Sequence, residues 1–272
     1  MLISAKLAPT FDYPVLERFW RSADALGFHA IWDYDHFYGL TDAELLTYDG
    51  WTLLAGMAAH TKNARIGCLV GSVTYRNPAL LAKMAATIDH MSHGRLEFGL
   101  GAGWHEAEHQ AYGFEFPAPG ARVAMLDEAL TVVRRLWTED RVSFSGKYFT
   151  VEDALANPKP LQHPHPPIVI GGMKPKMLWV IARHADEWNA PGQGAQEWSR
   201  TNAALDEACA EVGRPPQEIR RSVQLFLHPG NAEQVQQQLD SLPQYRDVGC
   251  QHVVLSFYQP PDEDLLARCA AL

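Results

Sequence analysis

The sequence predicts an α/β fold, a (β/α)8 barrel in which eight parallel strands are each followed by a helix. Short continuous apolar runs alternate with amphipathic stretches from end to end, and eight such alternations can be counted. The 272 residues suffice for one barrel around a single core. Continuous apolar strands are what a closed parallel sheet needs, because each strand is covered inside and outside. A doubly wound open sheet is the competing fold, but it normally uses about five or six strands.

In order, strand one spans residues 2–7 and the first helical pattern 14–27, ending at Gly27 as a helix stop should. Strand two (30–32) leads to a helix at 50–60, strand three (66–70) to one at 79–91, and strand four (96–100) to one at 122–137. Strand five (168–170) precedes a helix at 175–184, strand six (187–190) one at 196–212, and strand seven (222–227) one at 232–248. Strand eight (253–257) is followed by a short helix at 262–271. The one long departure is a rim insertion around 138–167, where 142–149 reads as a hairpin turning at Ser145-Gly146. A proline-stiffened return at 157–167 then feeds strand five. Residues 1–272 therefore read as one barrel domain.

With 47% apolar and 20% charged residues the chain reads as an ordinary globular protein. A net charge of −9 argues against nucleic acid as a partner, since a phosphate-binding surface needs an excess of Lys and Arg. There is no basic leader, and no apolar stretch approaches the roughly 18 residues of a membrane span, so the expectation is a cytoplasmic protein without a membrane partner. Cys68, Cys209, Cys250 and Cys269 lack C-x-x-C spacing, which suggests neither a zinc ribbon nor a disulfide framework.

Chemistry in such barrels gathers where the strands end. Strand two is followed by Asp33-Tyr34-Asp35-His36, strand three by the segment from Gly71 to Arg76, strand four by Gly101-Ala102-Gly103-Trp104, and strand five by Gly171-Gly172-Met173-Lys174. Asn189 ends strand six, His228 follows strand seven and Tyr258 strand eight. A histidine beside a carboxylate, two glycine turns and several aromatics suit a flat, partly anionic cofactor. Gly171-Gly172 at a helix start, with Lys174 and Lys176, reads either as a phosphate site or as glycines required for close packing. Asp35-His36 reads as a catalytic or cofactor-contacting pair, or as a strand-end histidine satisfied by hydrogen bonds.

His105-Glu106-Ala107-Glu108-His109 also matches the zinc-hydrolase pattern H-E-x-x-H. Its place two residues after Gly103 sets it in a first helical turn, whose positive dipole end disfavours a dication. Glu128 lies at a tempting distance for a third ligand, but no third histidine follows at the extended-motif spacing. His163 and His165 lie among prolines and read as a solvated loop. No metal is expected.

Residues 75–104, from Tyr75-Arg76-Asn77-Pro78 through Gly94-Arg95-Leu96 to Gly99-Leu100-Gly101-Ala102-Gly103-Trp104, resemble the bacterial luciferase-like superfamily, specifically its coenzyme F420-dependent oxidoreductases. Ala30-Ile31-Trp32-Asp33-Tyr34-Asp35-His36, the run 106–113, Pro158-Lys159-Pro160 leading to Ile168-Val169-Ile170-Gly171-Gly172, and Ala185-Asp186-Glu187-Trp188-Asn189 extend the resemblance over nearly the whole chain. It implies a flavin or deazaflavin at the barrel mouth, contacted by Asp35, by Cys68, Leu69, Val70, Gly71 and Ser72, by Gly101, Ala102, Gly103 and Trp104, and by Glu108, His109 and Tyr112. It implies a phosphate-binding turn at Gly171, Gly172, Met173 and Lys174, with His36 as the catalytic proton donor. A cis non-prolyl peptide between Cys68 and Gly71 is also implied.

The implied activity is hydride transfer between F420 and a small organic substrate at a C=C, C=N, carbonyl or alcohol group. The alternatives are a monooxygenase using reduced FMN and dioxygen, a non-catalytic flavin- or deazaflavin-binding protein, and a zinc hydrolase. A small-molecule substrate, a separate cofactor reductase and a second copy of the chain are the expected partners. Trp104 stands where some deazaflavin dehydrogenases carry a glutamate, so their acid–base pair does not transfer directly. The chain is also shorter than many relatives, which implies abbreviated lid loops.

Overall fold

Eight parallel strands close on themselves in a computed structural model that describes residues 1–40, 42–192 and 194–272. The chain begins β1 (Leu2–Leu7), α1 (Tyr13–Leu26), β2 (Ala30–Asp33), α2 (Gly50–His60), β3 (Arg65–Cys68), β4 (Gly71–Ser72), α3 (Pro78–Met91) and β5 (Leu96–Gly101). It continues with α4 (Glu106–Tyr112), α5 (Pro119–Thr138), β6 (Val142–Ser145), β7 (Thr150–Ala154), β8 (Ile168–Gly171) and α6 (Pro175–His184). β9 (Glu187–Pro191), α7 (Ala195–Glu211), β10 (Arg220–Leu227), α8 (Ala232–Asp240), α9 (Leu242–Asp247), β11 (His252–Phe257) and α10 (Glu263–Ala270) follow. Around the barrel the order is β3, β2, β1, β11, β10, β9, β8, β5, and pairing of Ile66 with Leu96 shuts it.

The third strand departs from its expected span of 66–70. It stops at Cys68, passes through a cis peptide bond at Leu69–Val70, and resumes as β4 against Leu100 and Gly101. Gly99 accommodates the interruption, because a Cβ there would lie 1.8 Å from the Cys68 carbonyl oxygen. The single helix expected at 232–248 is instead α8 and α9, divided at Ser241, with Pro243 in the first turn of α9. The rim hairpin pairs Ser145 with Thr150, so its turn is longer than Ser145-Gly146. Glu128, the tempting zinc ligand, accepts the backbone N–H groups of Lys147, Tyr148 and Phe149 and so holds that turn.

Side-chain alternation along β1 sorts the layers. Ile3, Ala5 and Leu7 join the large core under the helices, while Ser4 and Lys6 lie on the other face of the strand, inside the barrel. Ala30, Trp32, Leu69, Val169 and Val254 form a separate apolar plug in the barrel. At the N-terminal ends of the strands, Glu187 binds His252 at 2.8 Å and Arg220 at 3.0 Å, and Glu97 binds Arg65 at 2.6 Å. Plug and ion pairs close that end, and among the described residues a deep cavity opens at the opposite face. Among the described residues no helix is long and apolar enough to cross a membrane.

Candidate active site at the barrel mouth

A cavity of about 890 Å³ opens at the C-terminal ends of the strands. Its floor contains little but backbone and small apolar groups, with Leu69, Val70, Gly71, Gly101 and Gly171 among the lining residues. Polar groups enter from β1, β9, β10 and β11 as Lys6, Asn189, Gln224 and Ser256, and Tyr34, Asp35, His36, Tyr75 and Trp104 line the other side.

Lys6 comes from a strand that is apolar apart from Ser4, and it is buried. Its Nζ donates to the Leu69 carbonyl at 2.8 Å and to Gln224 Oε1 at 3.1 Å, tying β1 to the residue that opens the cis peptide. Burial lowers the Lys6 ammonium to about 8, against the opposing pull of Cys68 and Asp33. Burial and the neighbouring Asp35 push the Asp33 carboxyl well above the usual range.

Asp35 and His36 leave β2 in different directions. Asp35 Oδ2 accepts from Arg76 Nη1 at 2.5 Å, and the same guanidinium pairs with Asp49, the side-chain cap of α2. Burial raises Asp35, with Arg76 acting in the opposite sense. His36 Nδ1 lies 2.8 Å from Glu108 Oε2, which also accepts from the Tyr75 hydroxyl at 2.6 Å. Glu108 Oε1 takes the backbone N–H groups of Phe37 at 2.7 Å and Tyr38 at 3.0 Å. Burial alone would raise Glu108, but the hydrogen bonds of His36 and Tyr75 outweigh it and bring the carboxyl down to about 2. A carboxylate at Nδ1 requires the proton there when the ring is neutral, leaving Nε2 with no protein partner among the described residues.

Of the site residues expected from sequence, Asp35, His36, Leu69, Val70, Gly71, Ser72, Gly101, Ala102, Gly103, Trp104, Gly171 and Gly172 line the cavity. Cys68, Glu108, His109, Tyr112, Met173 and Lys174 do not. Cys68, Glu108 and His109 are wholly buried behind it. Tyr112 is exposed and stacks on Phe37 with centroids 4.4 Å apart. Lys174 is the exposed N-cap of α6, and the Gly172 N–H is already donated to the Asn189 carbonyl at 3.3 Å. His228 and Tyr258 stack at 4.2 Å on the rim.

The H-E-x-x-H residues are committed to other bonds. His105 caps α4 by accepting from the Glu108 N–H, and both nitrogens of His109 are hydrogen-bonded, one to Thr74 and one to the His105 carbonyl. Sequence reasoning missed Lys6, Gln224 and Ser256. The available signal was a lysine within Leu2-Ile3-Ser4-Ala5-Lys6-Leu7, where only an inward-facing position with a partner tolerates the charge.

An uncharacterized protein of Mycobacterium tuberculosis is 38% identical over 149 residues, which are 54% of this chain and 51% of that protein. The chain thus spans about half the length of that relative. The phthiodiolone/phenolphthiodiolone dimycocerosates ketoreductase of M. tuberculosis is 28% identical over 263 residues, covering 89% of this chain and 67% of the relative. Among solved structures, an F420-dependent secondary alcohol dehydrogenase in complex with an F420-acetone adduct superposes with a TM-score of 0.84 at 20% identity, over 98% of this chain and 96% of that one. Residues 4–264 match the family model described as luciferase-like monooxygenase. With all eight barrel strands inside or overlapping that match, the chain belongs to the luciferase-like monooxygenase family.

Proposed function

We propose that this protein is an F420-dependent oxidoreductase that moves a hydride between the deazaflavin and a small organic carbonyl or alcohol, or a C=C or C=N bond. The observation that carries the reading is His36, held through Nδ1 by an ionised Glu108 on the wall of a cavity whose floor is mostly bare backbone. A flat ring fits such a floor: Gly71, Gly101 and Gly171 project no side chain, and Val70 lies between them as an apolar rest. The unpartnered buried Asp35 Oδ1 offers an acceptor at the same level. At the start of α6, Pro175 has no N–H and the N–H groups of Met177 and Leu178 donate to the Lys174 carbonyl, so a phosphate there would rest on the Lys176 N–H and the Lys174 ammonium.

When bound, the reduced deazaflavin supplies the hydride, and a separate reductase would restore it. His36 supplies the proton from Nε2 to the oxygen or carbon left negative by reduction, and takes one in the reverse direction. Glu108 keeps the imidazole oriented by accepting at Nδ1, as a carboxylate does in other acid–base pairs. Tyr75, Phe37 and Tyr38 fix Glu108 in turn. Support from relatives is the ketoreductase among the curated proteins and the F420-dependent alcohol dehydrogenase among the solved structures.

The family description favours a second reading, oxygenation with reduced FMN. Titrating the purified protein with F420 and with FMN separates the two, using quenching of tryptophan fluorescence, to which Trp104 on the cavity wall contributes. The expected result is tight F420 binding and ketone-dependent oxidation of the reduced coenzyme. Tight FMN binding with oxygen-dependent turnover would overturn the first reading.

A further inference from the structure

Behind Ser72 runs a hydrogen-bonded chain that the proton chemistry of His36 does not use. Ser72 Oγ lies 2.6 Å from Thr74 Oγ1, which lies 2.6 Å from His109 Nε2, and His109 Nδ1 lies 2.8 Å from the His105 carbonyl oxygen. Only the Ser72 end lines the cavity, and His109 is wholly buried.

The donors can be assigned one after another. A carbonyl oxygen only accepts, so Nδ1 of His109 carries a proton. No carboxylate bonds the ring among the described residues, and its ring neighbours include Tyr75, Phe114 and Phe116. In a neutral ring one nitrogen donates and the other accepts, so with Nδ1 donating, Nε2 is an acceptor. Thr74 must then donate its only hydroxyl proton to Nε2. The Ser72–Thr74 contact is left with one donor, the Ser72 hydroxyl.

We infer that His109 and Thr74 act as positioning residues that fix Ser72 as a hydrogen-bond acceptor toward the cavity, where it receives an N–H or O–H of the bound ring. Both the deazaflavin and the flavin ring carry an imide N–H, so the chain serves either cofactor and does not choose between them. Gly103 is part of the device: it has φ +75, and a Cβ there would lie 2.3 Å from Ser72 Oγ and 3.1 Å from Thr74 Oγ1. The third glycine of Gly99-Leu100-Gly101-Ala102-Gly103 thus leaves room for the hydroxyl pair. This inference rests on the proposal that the cavity takes a flavin-like ring.

Two measurements test it. Imidazole ¹⁵N spectra of the ligand-free protein, with the His109 signals identified by their loss in His109→Gln, are expected to show a neutral ring with the proton on Nδ1. An Nε2–H tautomer or an imidazolium at pH 7 overturns the assignment. Fluorescence titration with oxidised F420, and with FMN, should show Ser72→Ala binding the ring about 3- to 10-fold more weakly, the loss of one neutral hydrogen bond. Thr74→Val should weaken binding by a smaller factor, and should add nothing in the Ser72→Ala background, because Thr74 acts only through Ser72. Unchanged binding by Ser72→Ala, or losses that multiply in the double variant, overturn the inference, provided melting temperatures show each variant folded. Failure of the wild-type protein to bind either ring overturns the cofactor reading instead, and the tautomer still decides the donor order.

Discussion

Glu108 Oε2 and His36 Nδ1 lie 2.8 Å apart, joining α4 to the loop that leaves β2. The contact does two things at once. It orients the imidazole toward the cavity, and it anchors the backbone of Phe37 and Tyr38 on the same carboxylate. Trp104, after the glycines of β5, supplies no carboxylate, and Glu108 supplies one to the histidine from four residues further on.

His36→Ala tests the proton role. Removing a positioned acid–base group costs about 10²- to 10⁴-fold in rate, and turnover should fall within that range while F420 affinity changes little. The check is kcat beside a fluorescence titration. Unchanged turnover would remove His36 from the mechanism, and a lost affinity with normal turnover would make it a binding residue.

Glu108 should show itself in acid. Its folded-state value, about 2, lies below the ordinary 4.5, so the unfolded chain binds the proton more readily. Its contribution to stability is therefore fully present above about pH 4.5 and is lost as pH falls toward about 2. Urea unfolding at pH 6 and at pH 3.5 should show a smaller loss in Glu108→Gln than in the wild type. Glu108→Ala should also lower stability at pH 6, by about 1–3 kcal/mol, since the buried N–H groups of Phe37 and Tyr38 lose their acceptor.

The barrel and the strand-end residues were legible in the sequence because both are written in local pattern. The apolar run 30–32 marks a strand covered on both faces, and His36 follows it four residues on. What stayed hidden depends on contacts between distant residues. Nothing near Glu108 in sequence shows that it meets His36, 72 residues away, rather than a cofactor or a metal. Lys6 was hidden for the same reason, since its partners come from Leu69 and Gln224. The break in the third strand was not written in residues 66–70, whose apolar run is continuous; only the family resemblance implied a cis peptide between Cys68 and Gly71, and it lies at Leu69–Val70, where Gly99 allows β5 to approach closely.

That approach makes Gly99 a stability position rather than a binding one. A methyl group placed 1.8 Å from the Cys68 carbonyl oxygen cannot be absorbed by a rotamer change, because the obstacle is backbone. Gly99→Ala should lower stability by roughly 3 kcal/mol or more, beyond the common range for overpacking. Thermal melting checks this, and a variant melting within about 2 °C of wild type would show that β3 and β5 can separate at no cost.

Lys6 should give the opposite pH signature from Glu108. Burial lowers its ammonium from 10.5 to about 8, so between those values the unfolded chain holds a proton that the folded chain has released. Stability contributed by this group therefore rises as pH increases from about 8 to 10.5, and below 8 the folded state carries the full cost of a buried ammonium. Lys6→Met removes the charge while filling similar volume, so its unfolding free energy should change less with pH across that window, by up to about 3 kcal/mol for a shift of this size. The same variant loses the bond to the Leu69 carbonyl and should bind F420 more weakly, because the residue opening the floor of the cavity is no longer tied to β1. Unfolding curves at pH 7.5 and 10 for both proteins, read beside the F420 titration, separate the two effects. An equal pH dependence in Lys6→Met would show that Lys6 is not the group responsible, whereas a flattened dependence with unchanged F420 affinity would confine Lys6 to a structural role.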